Sequence, residues 1–192
     1  KQDQNHDDIK AFVEVHIEQG KVLETENKAI GVVNGIVGQK RYTVTLKGEA
    51  NHAGTTPMGL RKDAVVGFSE IASKLTQRAR EIGDPLVLTF GRVDPVPNTV
   101  NVVPGEIVFS IDTRHIDQDA LNQFADEITE TIKSVSESEG LEYDIDLWMD
   151  EAPVLMDKGL VDRIEKSADQ IVGKEQYKVM ASGAGHDSQI FA

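Results

Sequence analysis

The chain has 192 residues, enough to bury a core in one large domain or two small ones. Its 33 acidic against 20 basic side chains leave a net charge of −13, which excludes a general nucleic-acid binder and makes any anionic ligand depend on locally placed cations. It has no cysteine, which removes disulfides, thiolate zinc sites and thiol catalysis and favours a cytoplasmic location, and no apolar run approaches the roughly 20 residues of a membrane span.

Residues 1–8 are polar and read as a connector. Over Ala11–Glu18, Val13, Val15 and Ile17 alternate with Glu14, His16 and Glu18, the periodicity of a strand that Gln19-Gly20 ends. In a second extended stretch, Tyr42, Val44 and Leu46 lie opposite Arg41, Thr43, Thr45 and Lys47. The Gly- and Thr-rich segment 48–59 reads as a loop. From Leu60 to Ile82 the apolar steps become helical, with Gly83 as the C-terminal cap and Asp84-Pro85 blocking continuation. Leu86–Val93 reads as a strand, 94–105 as a proline-punctuated loop, and Ile107–Arg114 as a strand. Asp117 is placed to cap a helix that Gly140 closes. Tyr143, Ile145, Leu147 and Met149 then alternate with Asp144, Asp146, Trp148 and Asp150. A helix over Asp157–Val172 and a strand over Tyr177–Ala181 follow.

The order across 40–150 is therefore β-α-β-β-α-β, the split βαβ of ferredoxin-like folds: an antiparallel sheet with helices on one face. Its other face must meet solvent, a second domain or a second subunit. The expected class is α+β, with residues 34–150 as a ferredoxin-like domain inserted between 1–33 and 151–192, two parts of another domain.

Several side chains could carry chemistry, and each has an ordinary alternative. His16 is a metal ligand or one more residue on an exposed strand face. His52 sits in Asn-His-Ala-Gly-Thr-Thr, a loop with more hydrogen-bonding capacity than a connector needs. Asn101 is a turn residue or a reader of a carbonyl or ureido group. Arg114 pairs with Asp112 or clamps a carboxylate with its guanidinium fork. His186 follows the small-residue turn Ser182–Gly185 and could help bind a developing oxyanion. No G-x-S-x-G, P-loop or H-E-x-x-H pattern is present, so those reaction classes lack support.

The segments FVEVHIEQG, GEANHAGTTPM, DPLVLTFG, PNTVNVVPG, IDTRH and SGAGHDSQIFA, in this order, resemble the allantoate amidohydrolases. These belong to a zinc-peptidase superfamily that also holds the N-carbamoyl-L-amino-acid hydrolases. The likeness runs from about residue 9 to the end. It implies an α/β catalytic domain with two divalent metals per site, zinc or manganese, and an inserted ferredoxin-like lid that also forms a homodimer. It implies His16 as a metal ligand, His186 as the catalytic histidine, and Gln19, His52, Asn101 and Arg114 as substrate binders, some reaching the site from the partner subunit. Arg41 stands where carbamoylases tend to carry an aromatic residue, and a second cation there suits allantoate, a small anion with two ureido arms.

The family's upstream His, bridging Asp and Glu pair, and its downstream His ligand, have no counterpart in this chain. The resemblance therefore implies a portion of an enzyme that does not turn over substrate by itself. The flanks are expected to expose apolar surface. Alternatives are an N-carbamoyl-L-amino-acid hydrolase, a ureidoglycolate-type amidohydrolase, or a dimerisation and lid module without chemistry of its own.

Overall fold

Side chains that alternate between apolar and polar build the long strands of this chain, and Asp and Gly residues set where its helices start and stop. The computed structural model describes residues 10–191, so the connector read over 1–8 lies outside the described residues. In chain order the elements are α1 (Val22–Thr25), β1 (Ile30–Ile36), β2 (Gly38–Lys47), β3 (Asn51–His52), α2 (Ala64–Ile82), β4 (Val87–Thr89), β5 (Val93–Val96), β6 (Val102–Val103), β7 (Glu106–His115), α3 (Gln118–Glu139), β8 (Glu142–Glu151), β9 (Val154–Leu155), α4 (Lys158–Val172) and β10 (Tyr177–Ser182). The chain divides into two compact units, Lys1–Val37 with Val154–Ala192, and Gly38–Pro153.

In the unit Gly38–Pro153 the sheet runs β4-β7-β2-β8, every neighbouring pair antiparallel, and β5 also pairs with β7. One face of β2 and β7 is buried: Tyr42, Val44 and Leu46 join Ile107, Phe109 and Ile111. Ile71 and Leu75 of α2, and Phe124, Ile128 and Ile132 of α3, close the same core. The Asp63 side chain accepts the amides of Val65 and Val66, and that of Asp117 accepts the Ala120 amide, so each helix begins at a side-chain cap. Gly140 ends α3 at φ 65°, the left-handed conformation that favours glycine.

Four details of this unit depart from the sequence expectations. The Asp63 cap starts α2 at Ala64, leaving Leu60 in a short 3-10 turn over Met58–Leu60. The strand expected over 86–93 is split into β4 and β5. The Arg92 amide bonds to the Ser110 hydroxyl and its carbonyl to the Ser110 amide, so the chain stays along β7 through the break. The loop expected over 94–105 accordingly contains most of β5 and all of β6. Finally, the alternation on β8 breaks at a β-bulge. Leu147 pairs with Tyr42, but Met149 pairs with Arg41, so Trp148 and Met149 together oppose one residue. Beyond the bulge Asp150 takes the register position facing Lys40, and its carboxylate lies 2.6 Å from the Lys40 ammonium.

Lys40, Tyr42, Asn122, Asp126 and Thr129 line a cleft between β2 and α3. Tyr42 is 3% exposed. Burial, then the nearby charges of Asp150 and Asp126, push its phenol up to about 12. An unfolded tyrosine ionises near 10. The folded form therefore holds the proton more tightly. Its contribution is full below about pH 10 and is lost as pH rises through about 12. Urea unfolding should show stability falling over that interval, with a shallower fall in Tyr42→Phe; an equal fall in both would remove Tyr42 as the cause.

In the unit Lys1–Val37 with Val154–Ala192, β10 pairs parallel with β1 and β9 pairs antiparallel on its other side. Val161 and Ala168 of α4 pack with Val32 of β1, and Asp157 caps α4 through the Leu160 amide. The strand expected over Ala11–Glu18 does not form. Its alternation is intact, but none of the described strands pairs with it, and an isolated extended segment has no ladder to hold it. Val15 is 98% exposed, and Ile17, Leu155, Ile171 and Ile190 are exposed as well, which matches the apolar surface expected of the flanks.

Candidate functional site

On the sheet face opposite the helices of Gly38–Pro153, β2 presents Arg41 and β7 presents Asp112 and Arg114. Antiparallel register puts Arg41 directly across from Asp112. Arg41 donates through Nε to Oδ2 of Asp112 at 2.7 Å. Arg114 turns its Nε–Nη2 edge onto the same carboxylate, at 2.8 and 2.9 Å. Burial pushes the Asp112 carboxyl up, but the hydrogen bonds from Arg114 and Arg41 outweigh it and hold the group below its ordinary value. The Arg114 guanidinium is held above its ordinary value chiefly by the hydrogen bond to Asp112. Of the two readings of Arg114, the ion pair with Asp112 is the contact present, and it places two cations and one anion within a small patch. Trp148, from the bulge of β8, lies over Arg41 with its ring centroid 5.6 Å from the guanidinium carbon.

His52 and Asn101 meet elsewhere in this unit. β3 and β6 pair His52 with Val102, and the Ala53 amide donates to the Asn101 carbonyl at 2.9 Å. Nδ1 of His52 accepts from the Gly54 amide at 3.0 Å. The neutral ring therefore carries its proton on Nε2, where it can be donated. Arg61 pins this loop by donating to the Thr56 and Ala53 carbonyls at 3.0 and 2.7 Å. Arg61 escaped the sequence reading because its partners are main-chain atoms and no residue pattern marks them. β7 starts beside the β3–β6 pair and carries Arg114 eight residues on from Glu106, about 26 Å at 3.3 Å per residue. The β3–β6 pair is a separate two-stranded sheet near the start of β7, and the Arg41–Asp112–Arg114 group lies toward the other end of that strand.

In the unit Lys1–Val37 with Val154–Ala192, His16 and His186 are stacked, ring centroids 4.2 Å apart. Nδ1 of His16 lies 2.6 Å from the Ile17 carbonyl, which can only accept, so Nδ1 is the donor. Burial, and secondarily His16, lower the His186 pKa, while Glu14 opposes them. Nε2 of His186 shares a 2.6 Å hydrogen bond with the hydroxyl of buried Ser182, which also accepts the Ala184 amide. Glu14 accepts the Ser188 amide at 3.0 Å, and Glu18 accepts those of Val22 and Leu23 at 2.7 and 3.0 Å. Both carboxylates therefore order the backbone. Gln19 is exposed at φ 56°, where the chain turns into α1. Among the described residues no group of three His, Cys, Asp or Glu is arranged to hold a metal ion.

Nearly the whole chain matches known proteins. The description "Peptidase family M20/M25/M40" covers residues 2–192. The allantoate amidohydrolase of Escherichia coli (strain K12) is 56% identical over 185 residues, which is 96% of this chain and 44% of that protein. The allantoate amidohydrolase of Bacillus subtilis (strain 168) is 44% identical over 185 residues, covering 95% of this chain and 44% of the relative. Among solved structures, an amidase of the hydantoinase/carbamoylase family from Burkholderia multivorans superposes with a TM-score of 0.89 at 33% identity, over 92% of this chain and 43% of that one. The chain spans less than half the length of these relatives. Among the described residues no helix is long and apolar enough to cross a membrane.

Proposed function

The chain belongs to peptidase family M20/M25/M40, and from that membership we propose that its parent protein is a cytoplasmic, metal-dependent amidohydrolase that hydrolyses the ureido C–N bond of allantoate. The observation that carries the reading is the Arg41–Asp112–Arg114 cluster on an open sheet face. In a chain of net charge −13 it is the kind of local cation pair that a small carboxylate needs. The names of the two allantoate amidohydrolases compared above support it.

In this reading Gly38–Pro153 is a ferredoxin-like lid and dimerisation domain, a reading supported by the strand order β4-β7-β2-β8 with both helices on one face. The unit Lys1–Val37 with Val154–Ala192 belongs to an α/β zinc-peptidase catalytic domain. His16 is a metal ligand and His186 the catalytic histidine. Gln19, Arg41, His52, Asn101 and Arg114 bind substrate. The parent holds two divalent metals, zinc or manganese. The donors among the described residues do not complete that site. The residues described here bind and orient. Arg114 and Arg41 hold the carboxylate, while the Asn101 amide and the Nε2–H of His52 are donors suited to a ureido oxygen.

His52 and Asn101 stand at the β3–β6 pair, by the end of β7 remote from Arg114, too far away to grip the same small molecule from one lid. A homodimer in which each site takes Arg114 from one chain and His52 with Asn101 from the other resolves this. An N-carbamoyl-L-amino-acid hydrolase is the second reading, favoured by the hydantoinase/carbamoylase likeness; Arg41 argues for allantoate.

The test is ammonia release by the complete gene product from allantoate and from N-carbamoyl amino acids. Turnover of allantoate is expected, and the 192-residue chain alone should be inactive. Turnover of carbamoyl amino acids without allantoate would overturn the substrate assignment.

A further inference from the structure

Asp112 treats its two arginines differently. It engages the Nε–Nη2 edge of Arg114, but only Nε of Arg41. The terminal nitrogens of Arg41 make no hydrogen bond among the described residues, and the side chain is partly exposed. A guanidinium tied at one atom can still pivot about that bond. The face of Trp148 limits the pivot, with its ring centroid 5.6 Å from the guanidinium carbon. Trp148 is itself half exposed on a strand of aspartates, where an aromatic ring gains little from burial. The bulge that places Trp148 and Met149 together opposite Arg41 is a device for re-aiming side chains. Edge fixed by Asp112 and face fixed by the indole, Arg41 has one open side, its two terminal nitrogens, the fork that matches two carboxylate oxygens.

We propose that Trp148 is a specificity-determining positioning residue, which with Asp112 aims Arg41 so that its terminal nitrogens receive the carboxylate of a small ureido substrate. This rests on the amidohydrolase reading. In the complete enzyme, Trp148→Ala should raise KM for the carboxylate substrate about two- to fivefold with kcat nearly unchanged, the size of an exposed cation–π contact. Trp148→Phe should restore much of the affinity. In an Arg41→Ala background the Trp148 change should have no further effect. The same substrate with a carboxamide in place of the carboxylate should bind wild type and Trp148→Ala alike.

Equal weakening toward carboxylate and carboxamide, a persisting effect without Arg41, or no effect at all would each overturn the proposal. Calorimetric titration with allantoate and with an N-carbamoyl amino acid separates this outcome from failure of the functional reading. An enzyme that turns over only carbamoyl amino acids sinks the allantoate assignment, while the Trp148 effect is then read on that substrate. An enzyme that binds neither ureido carboxylate overturns both.

Discussion

Phe109→Ala is expected to lower the unfolding free energy of the Gly38–Pro153 unit by about 3–5 kcal/mol, the cost of emptying a closed aromatic site. Phe109 is fully buried at the middle of β7, the strand that pairs with β2, β4 and β5. Its ring centroid lies 4.9 Å from that of Phe68 and 6.2 Å from that of Phe90, so three rings from a helix, a strand and a connecting loop interlock. Phe109 is the fully enclosed member of this cluster, with Phe68 and Phe90 partly buried against it. Denaturant midpoints at constant slope would measure the loss. Val108→Ala, one residue away on the opposite face, should cost much less. Equal losses would mean that the two faces of β7 have been assigned wrongly.

Arg114→Ala in the complete enzyme is expected to reduce kcat/KM for a ureido carboxylate by on the order of 100-fold, the loss of one or two charge-assisted hydrogen bonds. Arg114→Lys should not restore it, because an ammonium cannot reproduce a planar two-point contact. A carboxamide analogue should be nearly indifferent to the change, and unchanged affinity for the carboxylate would remove Arg114 from the site.

The variant has a second signature. The Asp112 carboxyl is held below its ordinary value by Arg114 and Arg41 against the opposing effect of burial. Its pairing therefore stabilises the fold above the ordinary carboxylate range, near pH 4, and the contribution disappears as pH falls through the lower folded value. Without Arg114, Asp112 keeps only its bond to Arg41. The acid limb of the stability profile should move to higher pH.

Much of this organisation is written in local pattern. The cap at Asp117, the left-handed Gly140 and the alternation over 107–114 each depend on residues a few positions apart. For that reason they survive in the fold as the sequence alone implies. The motifs around His16, His52, Asn101, Arg114 and His186 likewise pointed to the family that covers residues 2–192.

Local pattern has no access to neighbours. Ala11–Glu18 alternates as well as β7 does, yet forms no strand, because a strand exists only where a partner strand supplies hydrogen bonds. The bulge at Trp148 is set by register against β2, and neither chain segment announces it. Arg41 and Asp112 are 71 positions apart and become one ion pair only across the β2–β7 ladder. Ser182 became a partner of His186 only when the turn between them closed. Length, charge and the absence of cysteine delimited what the protein could be, and short-range spacing determined its helices, most of its strands and its candidate residues. Tertiary structure alone decided which of those residues meet: Arg41 with Asp112, Arg114 and Trp148 on the large antiparallel sheet, and His52 with Asn101 at the separate β3–β6 pair. Cross-strand contacts are created by register, a long-range property that the order of residues along the chain does not display.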